Sequence, residues 1–149
     1  MRRTAASNLL SRLRGGIVTG SPEDTRALGA ELAPLLPPEA TLALHGDLGA
    51  GKTTFVQGLA RGLGVADPVT SPTFTIFTLH RGAARLFVHV DAYRLNSGEQ
   101  LEALMLDEFL MPPHCVAVEW PENVAAWIPD GAWHLEFAIA DGRRRIRLR

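Results

Sequence analysis

The residues best suited to chemistry are Gly46-Asp47-Leu48-Gly49-Ala50-Gly51-Lys52-Thr53, which match the pattern G-x-x-x-x-G-K-[ST] in full. This octet suits a phosphate. Its glycines let backbone amides turn toward an anion with no side chain in the way, and the start of a following helix adds its positive end to the cradle. Gly49, Ala50 and Gly51 thus supply backbone, Lys52 reaches the β and γ phosphates, Thr53 offers a hydroxyl to Mg²⁺, and Thr54 caps the cradle from the next position. Of the 15 basic residues 14 are Arg, and Lys52 is the one lysine. A compact ammonium on a thin stem fits between phosphate oxygens where a planar guanidinium is bulkier. The missing second lysine also removes the Asn-Lys-x-Asp motif of guanine-specific proteins, and no Asp-x-x-Gly follows at Asp91. Adenine nucleotide is the favoured ligand.

A phosphate loop needs an acid at the end of a neighbouring strand to hold Mg²⁺ directly or through water. Asp91 follows Phe87-Val88-His89-Val90, and Glu119 follows Cys115-Val116-Ala117-Val118. Each ends an apolar run, where a charge is costly unless a cation or hydrogen bonds receive it. A helix cap or surface carboxylate competes for either acid taken alone, and beside the phosphate loop the metal reading is the stronger. The histidines at 45, 80, 89, 114 and 134 show no metal-ligand spacing and read as ordinary, and Trp120 reads as packing beside the site or in the core.

The elements that must position these groups follow from pattern. Thr41-Leu42-Ala43-Leu44 reads as a buried strand feeding the glycine-rich loop, and Thr53 to Leu63 as a helix with Phe55, Leu59 and Leu63 on one stripe. Before them, Ile17-Val18-Thr19 suggests a strand, and Ser21-Pro22-Glu23-Asp24 a capped helix start. That helix is interrupted at Pro34 and closed by Pro37-Pro38. Thr73 to Leu79 and Leu86 to Val90 form a hairpin pattern, Ser97 to Leu110 a helix, Val116 to Val118 a core strand, and Glu122 to Trp127 a short helix. Trp133 to Ile139 and Arg145 to Leu148 flank the turn signal Asp141-Gly142. The order predicts a mixed α/β domain, three-layered and like the P-loop NTPases, with a parallel core and antiparallel additions.

At 149 residues and 46% hydrophobic content the chain has material for one core, so residues 16–149 read as a single P-loop ATPase domain. Residues 1–15, with four arginines and no acid, read as a disordered N-terminal extension in preference to a transit peptide. A net charge of -1 argues against binding nucleic acid through an overall field. Cys115 lies in an apolar run and reads as a buried, inert thiol in a reducing cytosol, and no run approaches a membrane span.

With these residues in view, the sequence resembles the TsaE (YjeE) family of small bacterial ATPases from about Ser21 to Arg147. The blocks that carry the resemblance are Gly46 to Thr54, Ser71-Pro72-Thr73-Phe74, His89-Val90-Asp91-Ala92-Tyr93-Arg94-Leu95 and Val118-Glu119-Trp120-Pro121. It implies ATP along Gly49 to Thr54, Mg²⁺ held by Thr53 and Glu119, and Asp91 close to the metal and γ-phosphate, with Lys52, Asp91 and Glu119 as the catalytic set. Looser alignments add contacts from Ser21 and Arg143, and Ser71-Pro72-Thr73 is similar to a switch-type loop. The family works with a TsaB–TsaD pair that transfers a threonylcarbamoyl group to N6 of adenosine 37 in tRNAs reading codons that begin with A. The resemblance therefore implies a cytoplasmic ATPase that meets tRNA only through that complex.

Two other readings compete. A small-molecule P-loop kinase would use Arg81, Arg85 and the C-terminal arginines as a phosphate-closing lid, and a nucleotide switch would bind without turnover.

Overall fold

The computed structural model describes residues 2–70, 72 and 75–149, with side chains from residue 5 onward. Seven strands form one sheet in the order β1-β7-β6-β2-β5-β4-β3. These are β1 Ile17–Thr19, β2 Glu39–His45, β3 Phe77–Arg81, β4 Leu86–Asp91, β5 His114–Glu119, β6 Trp133–Ala140 and β7 Arg143–Leu148. At the centre β2 runs parallel to both β5 and β6, and β4 runs parallel to β5. β3 pairs antiparallel with β4, as the hairpin pattern predicts, and β7 pairs antiparallel with β6 and β1. The expected mixed sheet is therefore present.

Alternation along the central strands divides the apolar residues between two faces. Leu42, Leu44, Phe87, Cys115, Ala117 and Leu135 face a core shared with helices α1 Arg2–Gly15, α2 Pro22–Leu32 and α3 Lys52–Gly62. Val88, Val90, Val116 and Val118 join a second cluster with Leu101, Leu106 and Val124. Burial pushes the Cys115 thiol up to about 12, which keeps it a thiol. Among the described residues no helix is long and apolar enough to cross a membrane.

Helix α2 begins as its sequence predicts: Ser21 Oγ accepts from the Asp24 amide at 3.1 Å and Pro22 takes the first helical position. Beyond Leu32 the chain tightens to a 3-10 turn at Ala33–Leu35, around Pro34. Helix α1 also contributes to the first cluster. Residues 1–15 were expected to be a disordered extension, yet Leu9 and Leu13 are buried against the first cluster. Arg145 fastens the end of α1, donating from Nη2 to the Gly15 carbonyl at 3.1 Å. The i, i+4 pair Leu9/Leu13 is the signal that the arginine-rich composition masked.

The expected helix from Ser97 to Leu110 is also shorter. It survives as α4 Gly98–Glu102, with Ser97 capping Gln100, followed by a 3-10 turn at Leu106–Phe109. Met105 breaks it at φ 58. Leu101 and Leu106 are both fully buried, and on a continuous helix they would point about 140° apart. The break brings both into one cluster. Glu122 to Trp127 likewise contracts to a 3-10 turn at Pro121–Val124. Ser71, Thr73 and Phe74, on which the switch-loop expectation and the expected start of the hairpin fall, lie outside the described residues.

Candidate nucleotide site

Three adjacent parallel strands end along one edge of the sheet, and each delivers part of the site. β2 ends at His45 and passes into the glycine-rich loop; β5 ends at Glu119 and β4 at Asp91, which stand opposite each other in register. Ligands of open α/β sheets lie outside such carboxyl ends. A cavity of about 380 Å³ opens here, and its lining includes Gly49, Gly51, Lys52, Thr53, Asp91 and Glu119.

The loop geometry depends on glycine at two places. At Gly46, φ is +148 and an added Cβ would meet the Phe137 carbonyl oxygen at 2.5 Å. Gly51 is the N-cap of α3 at φ 100, a left-handed conformation that side chains resist. Leu48 stands 86% exposed at the loop tip, whereas Ala50 is turned inward, its amide donating to the Asp47 carbonyl at 3.1 Å. Of the loop residues expected to bind, Gly49, Gly51, Lys52, Thr53 and Thr54 line the cavity. Ala50 faces the core.

Lys52 is the first residue of α3, only 5% exposed, and donates from Nζ to the Gly46 carbonyl. Its ammonium also lies 3.8 Å from the centre of the Trp120 ring, a cation–π contact. Trp120 reaches that position because its own backbone turns back at φ 57. Burial pushes Lys52 below its ordinary value, while the carboxylates of Glu119, Glu122, Asp91 and Asp47 pull it back up. The ammonium thus stands at one wall of the cavity within the field of these acids.

Thr53 donates from Oγ1 to the Glu119 carboxylate, 3.2 Å from Oε1 and 3.3 Å from Oε2. A hydroxyl and a carboxylate side by side are hard oxygen donors of the kind Mg²⁺ takes from protein when phosphates complete its shell. Asp91 accepts from the Tyr93 amide at 3.0 Å through Oδ1. The sequence-predicted pair Thr53 and Glu119 is therefore assembled, and Asp91 stands on the neighbouring strand.

Ser21 and Arg143 line the same cavity from the other side. The Ser21 hydroxyl is already engaged as the α2 cap. Two functional residues escaped the sequence reading. Arg144, next to the expected Arg143, donates from Nε to the Gly49 carbonyl at 3.0 Å and so ties β7 to the loop. His89, read as ordinary, is fully buried with Nε2 2.6 Å from Oε2 of Glu119. Its spacing two residues before Asp91 places it on the same strand face as the acid, which was the available signal.

The arginine lid imagined for a kinase does not assemble from Arg81 and Arg85. Arg81 ends β3 where Leu86 begins β4, at the sheet edge opposite Asp91. Arg85 donates there to the carbonyls of Pro37, His114 and Leu36.

A family model described as "Threonylcarbamoyl adenosine biosynthesis protein TsaE" matches residues 19–146. The chain belongs to the TsaE family. The match begins and ends so that it encloses every residue lining the cavity and leaves out α1. The chain is 38% identical over 130 residues to the protein named "tRNA threonylcarbamoyladenosine biosynthesis protein TsaE" of Treponema pallidum, spanning 87% of this chain and 96% of the relative. It is 49% identical over 127 residues to the TsaE protein of Streptomyces coelicolor, spanning 82% and 85% of the two chains. Among solved structures it is similar to Bacillus subtilis YdiB, with a TM-score of 0.70 and 34% identity over 89% of this chain and 82% of that one.

Proposed function

We propose that this TsaE-family chain binds ATP with Mg²⁺ in the cavity and hydrolyses it. The hydrolysis sustains repeated cycles of the TsaB–TsaD pair as that pair places a threonylcarbamoyl group on N6 of adenosine 37 in tRNAs reading codons that begin with A. The ATP reading is carried by one observation: Lys52, the Thr53–Glu119 pair and Asp91 converge on a single cavity at the start of α3. The pathway reading rests on the family and on the names of the relatives.

In this reading the domain is a three-layer P-loop NTPase. Gly49 to Thr54 receive the phosphates on backbone amides at the α3 N-terminus. Lys52 exchanges the Gly46 carbonyl for phosphate oxygens, a rotation of its stem within the cavity. Thr53 and Glu119 hold the cation. Bound Mg²⁺ neutralises charge on the β and γ phosphate oxygens. Asp91 stands near the γ-phosphate, and Ser21 and Arg143 close the opposite wall. The chain meets tRNA through the TsaB–TsaD complex, in the cytoplasm.

A loop at the open edge of a small sheet leaves attacking water poorly controlled. Efficient hydrolysis needs water excluded and a charge-stabilising group added, which a second protein can supply. The chain alone is therefore a slow ATPase. Phosphate release is expected to rise severalfold when TsaB and TsaD of the same organism are added. Phosphoryl transfer to a small-molecule acceptor in place of phosphate release would move the assignment to a kinase, and tight binding with no turnover in any mixture would leave a nucleotide switch.

A further inference from the structure

Glu119 meets two donors, and only one of them belongs to the phosphate loop. His89 lies on β4, with Ala117 as its register partner on β5, and its side chain is fully buried beneath the cavity. Its Nε2 is 2.6 Å from Glu119 Oε2, while Nδ1 is buried without a hydrogen-bond partner. Phe87 lies stacked beside it, with ring centroids 6.5 Å apart. A carboxylate oxygen only accepts, so the ring donates from Nε2. A buried polar ring with half of its hydrogen-bonding capacity unused is a poor choice for packing alone. Phe would fill the space without a stranded nitrogen.

We propose that His89 is a positioning residue for the cation site: its Nε2–H holds Glu119 by Oε2 in the orientation in which the carboxylate meets Thr53. Glu119 ends a strand, and its side chain has rotamers that swing the carboxylate away from α3. The His89 bond selects one of them and also receives part of the charge in the buried surroundings. The inference rests on the proposed Mg²⁺ role of Thr53 and Glu119, and it adds to that role a residue that touches neither nucleotide nor metal.

The test is nucleotide affinity with Mg²⁺ and with EDTA, read with a fluorescent ADP analogue, for the parent, His89→Phe and His89→Gln. Phe keeps the volume and removes the donor, and Gln places an amide N–H near the Nε2 position. The ratio of affinity with Mg²⁺ to affinity with EDTA is expected to fall about tenfold or more in His89→Phe, in the range of outer-shell partners of metal ligands. His89→Gln should recover most of that ratio, and affinity in EDTA should stay within about twofold across the set. If His89→Phe does not fold, His89→Asn serves, because its shorter amide cannot reach Glu119. A parent ratio well above one that His89→Phe or His89→Asn leaves unchanged overturns the positioning role alone, as does an equal loss in Mg²⁺ and EDTA. A parent with no Mg²⁺ dependence overturns the cation site itself.

Discussion

Lys52→Ala is expected to reduce ATP hydrolysis by about 10²–10³-fold, the loss typical when one charge-stabilising donor is taken from a preorganised site. Its melting temperature should stay within about 3 °C of the parent's. The sequence alone suggests that this loop is solvent-facing, but Lys52 is buried, so the reason for an intact fold is different. The ammonium is held by the Gly46 carbonyl and the Trp120 ring. Removing it gives up those contacts but also the cost of taking a charge out of water, which already pushes Lys52 below its ordinary value. The two effects oppose each other in stability. In nucleotide binding they do not, because no other lysine exists in the chain to take the place. Steady-state phosphate release and a thermal melt, read on one preparation, check both halves. Parent-like hydrolysis would remove Lys52 from the mechanism, and a collapsed melt would make its role structural.

Glu119→Ala is expected to bring nucleotide affinity in Mg²⁺ down to about that in EDTA, since the carboxylate proposed to receive the cation is gone. The same change leaves Thr53 and His89 without their shared acceptor. His89 then has two buried nitrogens without partners, and some stability is lost as well. Titration calorimetry with ADP at a temperature well below the melt separates the two effects. Equal weakening with and without Mg²⁺ would assign Glu119 to structure.

The Thr53–Glu119 contact joins two residues that the sequence marks locally. Thr53 follows the lysine of an unbroken motif, and Glu119 ends a short apolar run that reads as a strand. The central strands were legible for the same reason. They are short apolar runs, and β2, β4 and β5 form within a few residues of where the pattern puts them.

What was not legible depends on contacts between residues far apart. His89 shows no ligand spacing, and its meaning lies in the register that sets β4 beside β5. Arg144 sits in an arginine run where one member looks like another, and only the β6–β7 turn decides which guanidinium reaches Gly49. The break at Met105 has no Gly or Pro to announce it, since it is set by the burial of both Leu101 and Leu106. Helix α1 was misread because composition outweighed two leucines. Its stability comes from packing on the first cluster, which helix propensity does not report.

The proposed role of ATP hydrolysis by this chain is to keep the TsaB–TsaD pair cycling, and the most direct measurement counts threonylcarbamoyladenosine formed per pair. Purified TsaB, TsaD, tRNA, a threonylcarbamoyl donor and ATP are combined with the parent chain, with Lys52→Ala, or with neither. Cycling that depends on a hydrolytic step stops where that step is missing. Many rounds are expected with the parent chain, and about one round per complex with Lys52→Ala or with the chain omitted, because the proposed function leaves the transfer chemistry to the pair and only the repeated cycling to this chain. Full multiple-turnover modification in the mixture lacking the chain would contradict the account.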